Sequence, residues 1–570
     1  NEDLLLSLEK AQVVAAMLGK SFFNEPLDGL WQDVLSCTGH AIEWIWKDDY
    51  EERMSKVRET RARAQRALEE TLCAAASSIP FRYELGTPLV VFNWHAWPVT
   101  GPVQFGVDRA DLGRLALCDG AGKPVPSQVA DMESAAPSQM AFIAENVPAC
   151  GFKTFYMRRP KPDGQTPPGK REEAQHEIEN EHYRVRQRPD GRLEIFDKTR
   201  GAALGMPDAG GLGDLAIYDM PPADTWVHNG PPGKRRDWQP LPGNSRSVAG
   251  PVFASLRSPG SIKPHAVVRE VRLWRGSRRI EFHVAIDAQA DNGIACIRFP
   301  VGPGKVVAGI PFGVEPREGF EREPFRYDGF ILGFPEGYDG TRWTDVSSPA
   351  LGYTFICPPG MHTGYAFKKK DQSLEFILHR LQPMPKDIFR QSHPSLQGTG
   401  HHEYECALVP HAGTWREATS YREALETHVP LVAWSPSHRL GRGGVCEKEL
   451  PDRPQPDPPR RGAMKPADEA SLVEVKPASV VLSSMRLVRT DATRRAAEIE
   501  LRLYETTGSP ADVAIRLGCP VSRARPTNFL GEPVEDAAKV DVASNEVRFR
   551  ILPWKIVTLR LTPEIEIAGP

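Results

Sequence analysis

At Pro80 the hydrophobic repeat of this chain changes from the helical spacing of about 3.6 residues to the strand spacing of about 2. Ahead of it, Leu4, Leu8, Ala11, Ala15 and Leu18 recur at i, i+3/i+4, and Gly19 stands where a C-cap belongs. Leu27, Leu30, Trp31, Val34 and Leu35 repeat the stripe behind Pro26. A third segment, Asp48 to Ala76, sets Met54, Val57, Ala64, Leu68 and Leu72 against a dense run of charge. In that run acidic and basic residues alternate at helical spacing, which marks a solvated helix face rather than a nucleic-acid surface. Three such helices predict an antiparallel bundle. Beyond Pro80, Leu89-Val90-Val91-Phe92-Asn93 reads as a buried strand, and Ile280, Phe282, Val284 and Ile286 alternate with polar neighbours as a half-buried strand does. Helix is therefore expected almost entirely before Pro80. Antiparallel strands should dominate the rest, with no helix longer than three turns in 176–434.

Composition supports a β-rich chain of several domains. It has 570 residues, enough for a large core, with 53 Pro and 48 Gly spread between short apolar runs. Lys and Arg total 71 against 74 Asp and Glu, so the net charge of −3 gives no electrostatic case for nucleic acid or an anionic membrane. The nine cysteines scatter singly, without a CxxC pair, so neither a zinc site nor a disulfide framework is indicated. A reducing cytoplasm is the expected setting. No run approaches the roughly 18 apolar residues of a membrane helix. Leu4-Leu5-Leu6 is short for a signal core and has acidic flanks. The chain begins with Asn and is expected to be part of a longer protein.

Two stretches carry more specific information. Glu179-Asn180-Glu181-His182-Tyr183-Arg184-Val185 is followed by Asp190-Gly191-Arg192-Leu193 and Phe196-Asp197-Lys198, with Asp-Gly as a tight-hairpin signal. About one domain later comes Gly400-His401-His402-Glu403-Tyr404, running through Leu408-Val409-Pro410-His411-Ala412-Gly413-Thr414-Trp415. In this order they resemble the large β domain of the glycoside hydrolase family 38 α-mannosidases. Phe92-Asn93 with Trp97 is similar to the opening of that family's small β domain, although Val99 stands where the family has Arg. Arg502-Leu503-Tyr504-Glu505 and Pro553 to Leu561 resemble strands of its terminal β domain.

The resemblance implies a mainly β fold with an N-terminal three-helix bundle. A large antiparallel β super-sandwich of the galactose-mutarotase kind would follow, with smaller β-sandwich domains. The implied division is 1–80 helical, 81–165 small β, 166–440 large β, 441–470 linker and 471–570 terminal β. It also implies a retaining, zinc-dependent hydrolase of terminal α-mannosides. A catalytic barrel precedes these domains in the family, and this chain is expected to lack it. The two carboxyl groups that a retaining glycosidase holds about 5–5.5 Å apart are then expected on that barrel, and none is assigned in this chain.

Three residues are carried over from the family pattern. His40, near the family's helical-domain His-His-Asp, is the candidate zinc ligand, although an ungapped alignment puts the ligand position on Gly39. A helix-capping role is the alternative for His40. Cys37 nearby is a second, softer candidate. Asp224 and Trp226, in Asp219-Met220-Pro221-Pro222-Ala223-Asp224-Thr225-Trp226, are candidates for binding sugar hydroxyls and stacking on a ring; an ordinary polar turn is the alternative. The His40 turn and this loop are expected on one concave face exposing an apolar patch. Histidines 401, 402 and 411 lack metal-site spacing and are expected to be structural. Expected partners are α-mannoside carbohydrate and the N-terminal barrel, with no nucleic acid and no membrane; a homo-oligomer stays open. The rival readings are a non-catalytic carbohydrate-binding or structural protein and a diverged glycosidase for another sugar.

Overall fold

The computed structural model describes residues 1–20, 26–38, 47–107, 111–112, 114–131, 139–158, 171–173, 176–206, 210–220, 233–317, 337–340, 342–357, 363–368, 372–381, 398–435, 467–489, 497–534 and 539–565. It is mainly β with helices at the N-terminal end, and every strand pairing among these residues is antiparallel. Contacts divide the chain into two units, one of 1–39, 54–169 and 429–570, the other of 40–53 and 170–428.

The first unit contains the helices α1 (Glu2–Met17) and α2 (Leu27–Ser36), with most of α3 (Lys47–Ala76). Glu2 and Asp3 in the first turn of α1 suit the helix dipole. The apolar stripe predicts a one-sided helix, yet every residue of α1 from Ser7 to Met17 is buried. The reason is that α1 packs against α2 and also against the strand Val480–Arg489 of the terminal β domain. Its polar residues are matched individually. Glu9 accepts from the Trp31 indole at 2.9 Å and from the Ser484 hydroxyl at 3.0 Å. Lys10 donates to the carbonyls of Trp94 at 3.0 Å and Leu482 at 3.5 Å. Burial pushes the Glu9 carboxyl above the ordinary carboxylate range despite these donors. The charged run of α3 is a solvated face, from which Lys56 and Arg63 reach Asp33 at 3.1 and 2.9 Å.

Asn93 ends the strand Thr87–Asn93 and is fully buried. Its amide donates to the carbonyls of Trp97 at 2.8 Å and Val147 at 3.0 Å, while its oxygen accepts from the His95 N–H at 2.9 Å. The Asn and Trp of that motif thus close one turn. Strand Val432–Trp434 pairs with Thr87–Asn93, and Glu469–Ala470 pairs with Gly151–Arg158. The terminal domain is two four-stranded sheets whose inward residues include Ile499, Leu501, Leu503, Val513, Ile515, Phe549 and Leu559.

The second unit holds sheets of eleven, six and four strands. Ile280, Phe282, Val284 and Ile286 point into one core with Ile297, Phe299, Phe355 and Phe376, as their alternation predicts. The hairpin of Tyr183–Gln187 and Leu193–Asp197 turns through Pro189-Asp190-Gly191, with Arg188 N–H bonded to the Arg192 carbonyl at 2.8 Å. Gly191 has φ +87°, and a β-carbon there would stand 2.8 Å from the Trp238 ring, so the turn and the packing both require glycine. Asn180 donates to the carbonyls of Trp274 and Ser277 at 2.9 and 3.0 Å, tying the motif that opens this domain to a neighbouring hairpin. Helix is not confined to the region before Pro80. A 3-10 turn spans Tyr83–Leu85, and α4 (Ser420–His428) has nine residues, within the three-turn limit. Among the described residues no helix is long and apolar enough to cross a membrane.

Candidate functional site

Asp224, Trp226 and His40 all lie outside the described residues, so their common face is outside them too. The chain on either side of 221–232 is described, and it is held at several points. Gly233 N–H donates to the Asp219 carbonyl at 2.7 Å, and Met220 exchanges bonds with Asn292, N–H to carbonyl at 3.1 Å and carbonyl to side-chain amide at 2.9 Å. Asp219, the last residue of its strand, accepts from Arg236 Nε at 2.7 Å. The same guanidinium donates to Asp291 and to the Lys263 carbonyl, each at 2.6 Å.

Asp291 also meets Nε2 of His265 at 2.8 Å. Since the Gln289 N–H donates to His265 Nδ1 at 3.0 Å, the proton on this buried ring sits on Nε2. Burial would raise the Asp291 carboxyl; bonds from Arg236 and His265 outweigh it and hold the group below its ordinary value. Asp219, Arg236, Asp291 and His265 therefore form a fixed polar clamp beneath both stems. It can position a loop. Each of its nitrogens that faces a carboxylate or carbonyl already donates within it: Nε, Nη1 and Nη2 of Arg236 and Nε2 of His265. Reading the sequence missed it, because its members come from separate strands and turns and share no local motif.

A second polar set lies in the six-stranded sheet. Arg298 Nε donates to Glu375 at 2.7 Å, and the Tyr218 hydroxyl donates to the same oxygen at 3.0 Å. Both ends of the ion pair are sealed from water. Beside it Tyr218, Met220, Ile294 and Cys296 form a small apolar cluster. Sealed in this way, the pair is scaffold.

The histidines diverge, as their spacing predicts. His401 bonds Asp287 at 2.6 Å on the exposed face of the large sheet. His402 turns to the other face and lies against His379, ring centroids 4.2 Å apart with the planes tilted by 34°. His411 meets buried Asp345 at 2.7 Å. Asp345 takes further bonds from the hydroxyls of Thr354 at 2.8 Å and Ser347, with Ser420 at 3.5 Å. Ser, His and Asp meet here, but the carboxylate is the hub and the serines bond it rather than the imidazole, so no nucleophile is activated. Among the described residues no three His, Cys, Asp or Glu side chains could share a metal ion. Cys37, at the end of α2, has its thiol 4.0 Å from the Ser36 hydroxyl. The described residues thus supply no zinc set.

Residues 178–387 match the model of the glycosyl hydrolases family 38 C-terminal domain. Residues 490–559 match that of the family 38 C-terminal beta sandwich domain. Over these two segments the chain carries C-terminal domains of glycosyl hydrolase family 38. The two matched segments stand in the order expected, with the 400–417 stretch lying between them. Human alpha-mannosidase 2C1 is 22% identical over 393 residues, 67% of this chain but 33% of the human protein. Its mouse counterpart is 25% identical over 220 residues, 39% of this chain and 17% of that protein. The chain thus spans about a third of the length of the human relative it matches. An alpha-mannosidase from Enterococcus faecalis V583 superposes with a TM-score of 0.69 at 15% identity, covering 98% of this chain and 66% of that one. A second family 38 structure from Enterococcus faecalis gives 0.70 at 15%, covering 98% and 69%. At that identity the likeness concerns the fold, and the family 38 fold extends over almost the whole chain, helices included.

Proposed function

We propose that this chain is the C-terminal portion of a retaining, zinc-dependent α-mannosidase that hydrolyses terminal α-mannosides. It provides scaffold and one wall of the active site, while the catalytic barrel lies on the N-terminal part of the same protein. The observation that carries this reading is the ordered pair of family 38 segments within a fold that follows family 38 structures over 98% of the chain. Asp224 and Trp226 are the residues proposed to touch substrate. The clamp of Asp219, Arg236, Asp291 and His265 supports that role, because a loop that must meet a sugar needs fixed stems. Zinc belongs to the intact enzyme, with His40 as this chain's proposed contribution. A reducing cytoplasmic setting belongs to the same proposal.

The test uses two proteins. The purified chain alone is expected to show no turnover of an aryl α-mannoside, with or without added zinc, since both carboxyl groups of the mechanism are assigned elsewhere. The full gene product is expected to turn the same substrate over and release the α-anomer first, read by proton NMR. Turnover by the chain free of full-length enzyme, or an inactive full-length product, overturns the proposal. The second outcome would favour the non-catalytic carbohydrate-binding reading.

A further inference from the structure

In the terminal β domain, strands Glu546–Ile551 and Ile556–Pro563 are joined through Leu552-Pro553-Trp554-Lys555. The Lys555 N–H bonds the Leu552 carbonyl at 3.3 Å, and Trp554 has φ +57°. This is a turn with proline at its second position and a left-handed residue at its third. That third position ordinarily belongs to Gly or Asn, because a β-carbon is strained there.

The neighbouring turn holds the strained residue in place. Glu505 is fully buried, and through Oε1 it accepts from Thr507 N–H at 2.7 Å and Thr507 Oγ1 at 2.6 Å. Through Oε2 it accepts from Gly508 N–H at 2.8 Å and from Trp554 N–H itself at 3.2 Å. Gly508 lies directly against the indole, where a β-carbon would stand 2.6 Å from Cζ2. The two turns interlock and fix the ring, yet 41% of Trp554 and 56% of Leu552 remain exposed. A chain needing only a turn here would be served by glycine, and one needing core packing would bury the indole. The arrangement does neither, and backbone strain retained at an exposed aromatic points to recognition.

We propose that Trp554 is the stacking platform of a surface carbohydrate site, taking a pyranose ring of a mannose-containing oligosaccharide on the open part of the indole. The negative face of an aromatic ring attracts the C–H edges of a sugar. A ring fixed before binding loses little freedom on association. The apolar area, two side chains, is far below the ~1,000 Å² that a stable protein interface needs, which favours a single small ring over a second copy of the chain. Ser509 and Lys555, both exposed, follow Gly508 and Trp554 in the two turns and offer polar groups for hydroxyls. The choice of mannose rests on the function proposed above, whereas the platform itself rests on the turn.

The test exploits the backbone. Trp554→Gly relieves the left-handed strain, so its Tm is expected to equal or exceed that of the parent chain. Retention in a gel containing α-mannan, and binding of α-linked mannotetraose by calorimetry, are expected to weaken at least tenfold. Trp554→Phe is expected to keep part of the binding. Should the glycine variant fold poorly, Trp554→Asn, which also tolerates this backbone, takes its place with the same expected result. Unaltered binding in these variants, or a parent chain that binds no oligosaccharide, overturns the proposal. So does a dimer that Trp554→Gly converts to monomer, which would identify the occupant as a second copy. Trp554-dependent retention on a cello-, xylo- or malto-oligosaccharide but not on mannan would leave the platform standing and count against the α-mannoside reading.

Discussion

The strand Gly400–His411 carries the same pair, histidine against aspartate, at both ends, in opposite surroundings. At its start His401 bonds Asp287 at 2.6 Å and Glu403 at 3.0 Å, with more than half of each side chain in water. At its end His411 meets Asp345 at 2.7 Å, with Asp345 wholly buried. The distances are nearly equal and their worth is not. Solvent has already satisfied the exposed groups, so their contact adds little. The buried carboxylate has no water to return to, so losing its partner leaves a charge with nothing adequate to compensate it. Bond length alone would rank the two ends as equivalents; burial separates them.

The largest expected effect is at the buried end. His411→Ala leaves Asp345 with hydroxyl partners only, and should cost about 3–5 kcal/mol in urea unfolding. Gly352→Ala should act in the same direction without removing the histidine. Gly352 pairs directly with His411, and a β-carbon there would stand 2.2 Å from Cε1, so the ring must leave Asp345. A cost below about 1 kcal/mol for His411→Ala, the value of an exposed pair, would break the comparison.

What was legible in the sequence follows the same division between local and distant causes. Pro189-Asp190-Gly191 could be read because one turn residue with φ > 0 decides the hairpin. The alternation of Ile280 to Ile286 could be read because a strand's two faces differ in burial. The burial of α1 from Ser7 to Met17 could not, since Glu9, Lys10 and Gln12 look like a solvent face until Trp31, Ser484 and the carbonyls of Trp94 and Leu482 arrive from distant segments. Nor could α4, a short helix following a turn at Thr419, where φ is +52°. Of the site, the clamp of Asp219, Arg236, Asp291 and His265 was not legible. Its four members come from two different sheets and a turn between strands, and become neighbours only when the domain folds. The left-handed backbone at Trp554 was equally hidden, because Pro-Trp carries none of the usual Gly or Asn signal.

A middle-sized effect is expected at His379, in sign opposite to the exposed end. Its Nε2–H donates to the Gly398 carbonyl at 2.6 Å, and its Nδ1 accepts from the Tyr404 hydroxyl at 2.6 Å, so the fold holds it neutral. Burial lowers its pKa, with His402 alongside adding to the effect. The unfolded chain therefore binds this proton more readily. The stabilisation is complete above the ordinary histidine value of about 6.5 and is lost as pH falls through the depressed folded value. Replacing His379 with Asn should flatten the fall in Tm between neutral pH and pH 5; an unchanged slope would show that the ring carries no proton linkage.

The smallest effect belongs to His401. Bonds to Glu403 and then Asp287 raise its pKa in the fold. Its contribution is thus fully present below about pH 6.5 and disappears as pH rises through the raised value, the reverse of His379. Because ring and carboxylates are largely in water, His401→Ala should cost well under about 1 kcal/mol at pH 6, less again at pH 9, and less at 0.5 M salt than at low salt. Urea unfolding at both pH values and both salt levels measures this directly. A salt-independent loss as large as that of His411→Ala would mean that the two ends are equivalent after all, and that exposure is not what sets the worth of a histidine–carboxylate pair in this sheet.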